Sequence, residues 1–233
     1  MIVKMTAFKL IVLGAGLSCG LTAQNTTADM RIEATNTLLH GGVQLELEPA
    51  SSAFGALLRI NARPGGMIIV SGCGVPARYS VGFSAGMPWS TALDTLTSIF
   101  PENYWTFKDG VANLLPKQGV PSVMDVQIER FEWDTAANEP SAIFRIFDAN
   151  GVKSHLTALG LTPYSGLQAF TWLQKAPKVV NGVPEPRRGQ KYKLENVTVL
   201  TALNAIAAAY GDEFWLYEER KCGGEKTYRI SVR

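Results

Sequence analysis

Histidine and cysteine are scarce in this chain: His40 and His155 are the two histidines, and there are three cysteines among 233 residues. A zinc centre needs several such ligands close together, and lone cysteines with two distant histidines do not supply one. Cys73 and Cys222 lack both a neighbouring histidine and a C-x-x-C partner, so neither reads as an activated nucleophile. The carboxylates are scattered, and no pair stands out as acid and base. Gly14-Ala15-Gly16 and Gly72-Cys73-Gly74 lack the spacing and the Lys-Ser/Thr of a phosphate loop. No catalytic residue, cofactor-binding residue or metal ligand is therefore assigned, no cofactor is expected, and the protein is read as not an enzyme. A hydrolase using His155 is the distant alternative.

Long apolar runs are absent too. Leu10 to Leu17 is too short to span a bilayer, which needs about 20 residues, and no integral membrane span is expected. Lys4 and Lys9 precede that run and small residues ending at Ala23 follow it, the order of a secretory signal peptide over residues 1–23 with cleavage after Ala23. Cys19 offers the competing reading of a lipid anchor, but the leucine of a lipoprotein site stands one place off. A flexible segment, 24–41, follows. Export implies the periplasm or the extracellular space.

Cleavage removes two lysines from 22 basic residues and nothing from 20 acidic ones, leaving 20 of each. A neutral chain has no general attraction to nucleic acid or anionic lipid, so no nucleic-acid partner is expected. Cleavage also leaves two cysteines, Cys73 and Cys222, both beside glycine. In an oxidising compartment a Cys73–Cys222 disulfide and two separate thiols both fit.

What the chain does contain is a repeat. Trp89–Phe107 aligns without a gap on Val199–Tyr217: Ala92-Leu93 falls on Ala202-Leu203, Leu96 on Ile206, Phe100 on Tyr210 and Trp105 on Trp215. In each copy the apolar residues fall three and four apart, one stripe of a helix. Thr91 with Asp94 offers a capping box in the first copy, with Ser90 as an alternative cap and Pro88 just outside; Thr198 caps the second, and Gly211 ends it in a left-handed turn. Lys108-Asp109-Gly110 between apolar runs predicts a hairpin after the first helix, and Cys222-Gly223-Gly224 one after the second. Extended pieces precede both helices, at Tyr79–Phe83 and Tyr192–Leu194, with Glu195-Asn196 as the turn into the second helix.

Upstream, Val43–Leu47 alternates as a strand, Phe54, Leu57 and Leu58 mark a helix stopped by Pro64-Gly65-Gly66, and Met67–Val70 is a short strand. Residues 42–118 thus form a first β-α-β-β-α-β-β domain. Residues 119–233 read as a second, with a strand at Val126–Trp133, a helix from Glu139 or Ser141 to Ala149, an insert around 155–184, a short helix or strand at Leu167–Trp172 and a second strand at Val179-Val180. The fold class is α+β, two tandem two-layer sandwiches with two helices on one sheet in each. Trp89, Trp105, Trp133, Trp172 and Trp215 are read as packing residues in preference to a ligand face.

This element order resembles the small N-terminal domain of secretins and TonB-dependent receptors, the secretin and TonB N-terminus short domain. Met87–Leu96 and Val197–Ile206 look like its turn, Ala-Leu and apolar-at-three segment. Pro101-Glu102 and Gly211-Asp212 stand where the family has Gly-Leu, and the 155–184 insert has no counterpart. No barrel sequence is present, so a pore or receptor role is not carried over. The resemblance implies the envelope of a Gram-negative bacterium and a protein-binding domain. The expected function is a non-catalytic envelope interaction protein that binds a protein partner through a sheet edge or helix groove, with self-association open. The alternative is a binding module for a cell-wall polymer or small ligand, using the cleft between domains.

Overall fold

A computed structural model describes residues 42–48, 50–74, 79–84, 86–135, 141–164, 179–180, 183–184, 189–211 and 214–232. Residues 1–23 with Cys19, where a signal peptide is expected, the 24–41 segment with His40, and Leu167–Trp172 lie outside these residues.

The first half reads β1 (Gly42–Glu48), α1 (Ala50–Ile60), β2 (Gly65–Ser71), β3 (Tyr79–Ser84), α2 (Trp89–Ile99), β4 (Asn103–Lys108) and β5 (Val111–Pro116). The second reads β6 (Gln127–Asp134), α3 (Ser141–Asp148), α4 (Asn150–Ala158), β7 (Thr162–Pro163), β8 (Val179–Val180), β9 (Val183–Pro184), β10 (Lys191–Thr198), α5 (Val199–Tyr210), β11 (Phe214–Cys222) and β12 (Glu225–Val232). A 3₁₀ turn, Ser122–Asp125, joins the halves. The class is α+β, as expected.

Local chemistry explains most of these elements. Asp109 and Gly110 both take positive φ, 53° and 81°, which is the two-residue turn that matches strand twist, and Lys108 pairs Val111 across it. Gly223 and Gly224 do the same between Cys222 and Glu225. Thr198 Oγ1 accepts the Thr201 amide at 3.2 Å and Gly211 closes α5 at φ 84°, both as the sequence indicates.

Other details differ. The capping box at Thr91 is not used: α2 begins at Trp89 with Pro88 at the cap and no side-chain bond, so Thr91 lies inside the first turn, and the Asp94 carboxylate accepts from Trp105 instead. Gly65 and Gly66 do not stop α1 but open β2. The stop is Ala62 at φ 46°, where the Arg63 amide reaches back to the Leu58 carbonyl at 3.0 Å. Glu195-Asn196 is no turn; β10 runs on to Thr198, with Asn196 taking up an irregularity at φ 50°. The helix expected to end at Ala149 is α3, and a second helix that was not expected, α4, follows it at once, so the segment from 155 opens as helix and then strand. Val179-Val180 pairs with Val183-Pro184, and the short strand added to the main sheet is β7.

The sheets differ most from expectation. One six-stranded sheet runs in the order β4-β5-β2-β11-β12-β7. Strands β5, β2 and β11 are mutually parallel; β4 and β12 run against them, and β7 follows β12. Each half thus supplies a hairpin with a third strand parallel to its second member, and the halves meet where β2 lies beside β11. Two separate antiparallel pairs, β1·β3 and β6·β10, complete the halves.

Since β4 and β11 point in opposite directions, the second half is turned over relative to the first, and the helices of the two halves cover opposite faces of the sheet. Side-chain alternation follows this. Met67, Ala112, Leu114, Phe214 and Leu216 enter the core of α1 and α2 with Val81 and Phe83 of β3. Ile68, Leu115, Trp215, Tyr217 and Ile230 enter the core of α3, α4 and α5 with Phe131 and Trp133 of β6. Helices α1, α2 and α5 therefore lie between the main sheet and the two-stranded pair of their half, not on one sheet alone.

Candidate functional site

The outer strand β4 is the candidate site, because it has a buried twin within the same sheet. After α2 the chain turns at Phe100 and returns as Asn103–Lys108, and after α5 it turns at Gly211 and returns as Phe214–Cys222. In both places one indole is tied to the helix it follows. Trp105 Nε1 donates to Asp94 Oδ1 at 2.7 Å, and Trp215 Nε1 donates to Asn204 Oδ1 at 3.1 Å, each spanning 11 residues. The repeat places donor and acceptor at matching positions, so the same lock holds strand to helix twice.

The two strands differ in what lies beside them. β11 carries β2 in parallel, from Phe214 opposite Gly65 to Arg220 opposite Ser71. Among the described residues no strand lies beyond β4. The direction of its backbone groups follows from its neighbours. The Ala112 amide points to the Pro64 carbonyl, away from β4, while the Lys117 amide bonds the Glu102 carbonyl. With Ala112 opposite Phe107, the alternation of an antiparallel pair turns the N–H and C=O of Trp105 and Phe107 outward, to the open edge. These are the groups an added strand would pair with.

Exposure marks the same edge. Trp215 is 0% exposed, whereas Trp105, with the same tether, is half-buried. Phe214 is buried against Phe54 of α1, ring centroids 5.6 Å apart in an edge-on contact. Its counterpart Tyr104 is 37% exposed and, among the described residues, is one of three large apolar side chains so placed, with Val70 and Tyr164.

No protein-family model, curated protein or solved structure matches the chain.

The other residues singled out in the sequence fall elsewhere. Cys73 and Cys222 form a disulfide at the C-terminal ends of β2 and β11, with Cα atoms 4.7 Å apart. His155, on α4, is joined to Ser122 of the 3₁₀ turn: Ser122 Oγ and His155 Nε2 are 2.9 Å apart on the surface. The two residues are 33 apart in sequence, and no pattern could have paired them. Among the described residues no carboxylate bonds the ring's other nitrogen, so the contact pins the turn to the helix and lacks the third group that orients a catalytic histidine. Trp89, Trp133 and Trp215 are buried, which agrees with packing. Among the described residues no group of three metal-ligating side chains gathers, and no helix is long and apolar enough to cross a membrane. Sequence patterns missed Tyr104 and the outward backbone of Trp105 and Phe107; only Trp105 was visible, as half of the repeat.

Proposed function

We propose that this is an exported, non-catalytic interaction protein of the bacterial cell envelope, built from two copies of one unit akin to the secretin and TonB N-terminus short domain, and that it binds a protein partner by strand addition at β4. The observation that carries this is the internal join: the counterpart strand, β11, already accepts a parallel strand, while β4 has two outward N–H and C=O sets and no strand beyond it among the described residues. The matched indole tethers and the shared plan of hairpin plus parallel third strand support the two-copy reading. The Cys73–Cys222 disulfide is compatible with an oxidising location.

Paired lysines on an edge strand discourage pairing without removing core atoms. In a pull-down from envelope extract, wild-type protein should retain a partner that Tyr104→Lys/Thr106→Lys loses, while both unfold at similar temperatures. Retention of the same partner by the variant, or no partner for the wild type where a control bait works, contradicts the proposal.

A further inference from the structure

Gly66 lies opposite Trp215 in the β2·β11 pair, and a Cβ built at Gly66 would overlap the Trp215 indole at Cε2 and Cζ2. The indole is thus laid across the neighbouring strand, and only glycine leaves room beneath it. The tether to Asn204 fixes that direction. Trp105 is the counterpart of Trp215, is tied to Asp94 in the same way, and has no neighbouring strand beneath it among the described residues. Its greater exposure is what an indole left hanging beyond an open edge would show.

The geometry points to a selectivity of the β4 edge: it takes a strand parallel to β4 with a glycine opposite Trp105 and apolar residues after it, the pattern of Gly65-Gly66-Met67-Ile68 in β2. This rests on β4 being the partner site. The fitting partner is a different protein that presents a glycine-led strand as β2 does. A second copy of this chain is disfavoured by Pro163. By topology the edge that would meet β4 of another copy is β7, the third strand of the second half as β2 is of the first. The Tyr164 amide bonds the Tyr228 carbonyl, so the alternate residue, Pro163, faces outward and has no N–H to give. One end of the sheet is therefore receptive and the other blunted, which suits capture of a foreign strand over self-polymerisation. Polar Thr106 and half-exposed Tyr104, where β11 has Leu216 and Phe214, suit a join that opens and closes.

The probe is a soluble peptide of residues 63–71 with a lysine tail, added to the full oxidised chain, with binding read by fluorescence polarisation of the labelled peptide. The wild-type peptide should bind, and its Gly66→Val form should bind at least tenfold more weakly. Against a Trp105→Ala protein the two peptides should bind alike, since the overhanging ring that imposes the choice is gone. Binding by neither peptide, equal binding by both to the wild type, or discrimination that survives Trp105→Ala would each overturn the selectivity. Concentration-dependent self-association in sedimentation that Tyr104→Lys/Thr106→Lys abolishes would also overturn it, placing a second copy on the edge. Loss of selectivity with an envelope partner still dependent on Tyr104 and Thr106 would leave strand addition standing; loss of both would remove that reading too.

Discussion

Ala62 holds φ at 46°, where a Cβ crowds the backbone, and it is exposed, so no packing compensates. The position follows the last turn of α1, with the Arg63 amide closing on Leu58, a setting in which glycine is the usual residue. Ala62→Gly should relieve strain of about 1 kcal/mol, offset in part by the greater freedom of glycine in the unfolded chain. A net gain of a few tenths to about 1 kcal/mol is expected in urea unfolding at constant m. Tyr217 presents the opposite case, a polar group buried with its partner: its hydroxyl donates to Glu219 Oε1 at 2.9 Å, and Glu219 is 4% exposed. Burial first, then the Glu219 carboxylate, hold the phenol's pKa far above the usual 10.0. The folded form therefore keeps its proton where the unfolded chain loses it. The stabilisation is complete below pH 10 and falls above it, by up to about 1.4 kcal/mol per pH unit for this group. Tyr217→Phe should flatten the part of the alkaline decline due to this phenol. It should also cost about 1–3 kcal/mol at neutral pH, because Glu219 loses its buried donor. Urea midpoints at pH 7, 10 and 11 separate the two effects.

At the scale of elements, what could be read in advance is what local chemistry writes. Asp109-Gly110 and Gly211 demand particular backbone angles and supply them with residues that signal it. The stripes of α2 and α5 repeat because Leu93, Leu96, Leu203 and Ile206 must all reach a core. The stop at Ala62 was not legible, since alanine in a left-handed turn leaves no mark, and the nearby Gly65-Gly66 drew the boundary to itself. Gly65 answers to Leu58 of α1, and Gly66 to a side chain far along the chain, Trp215. Gly66→Ala should cost several kcal/mol by pushing the Trp215 indole off its place, in the upper range for overpacking. Trp215→Ala should cost about 3–5 kcal/mol through the cavity it leaves. Combined, they should cost less than the sum by at least about 1 kcal/mol, because the added methyl then enters vacated space. Additive losses in a double-mutant cycle would mean that the indole does not rest on Gly66.

For the whole molecule, the joining of two halves into one sheet was the least legible feature. A parallel pairing between residues near 65 and residues near 214 joins strands far apart in the sequence, and neither β2 nor β11 carries a pattern naming the other. The cysteines gave the one hint, and they now sit two residues beyond the last pair of that join, Ser71 with Arg220. They are 149 residues apart in the sequence. Closing so long a loop restricts the unfolded ensemble by about 5 kcal/mol on the chain-entropy account, more than any single packing contact supplies. The seam itself still holds β2 against β11 through Phe214, Leu216, Trp215 and the backbone ladder, so the native fold should persist without the bond. Cys73→Ser/Cys222→Ser should therefore keep the native near-ultraviolet circular dichroism while its urea midpoint falls by about 2 M, taking m near 2–3 kcal/mol per M. Wild type with reductant should match the variant, and reductant should leave the variant unchanged. A midpoint that does not move would mean that residual structure already holds the two ends together in the unfolded chain, and that the disulfide fastens a seam which forms early.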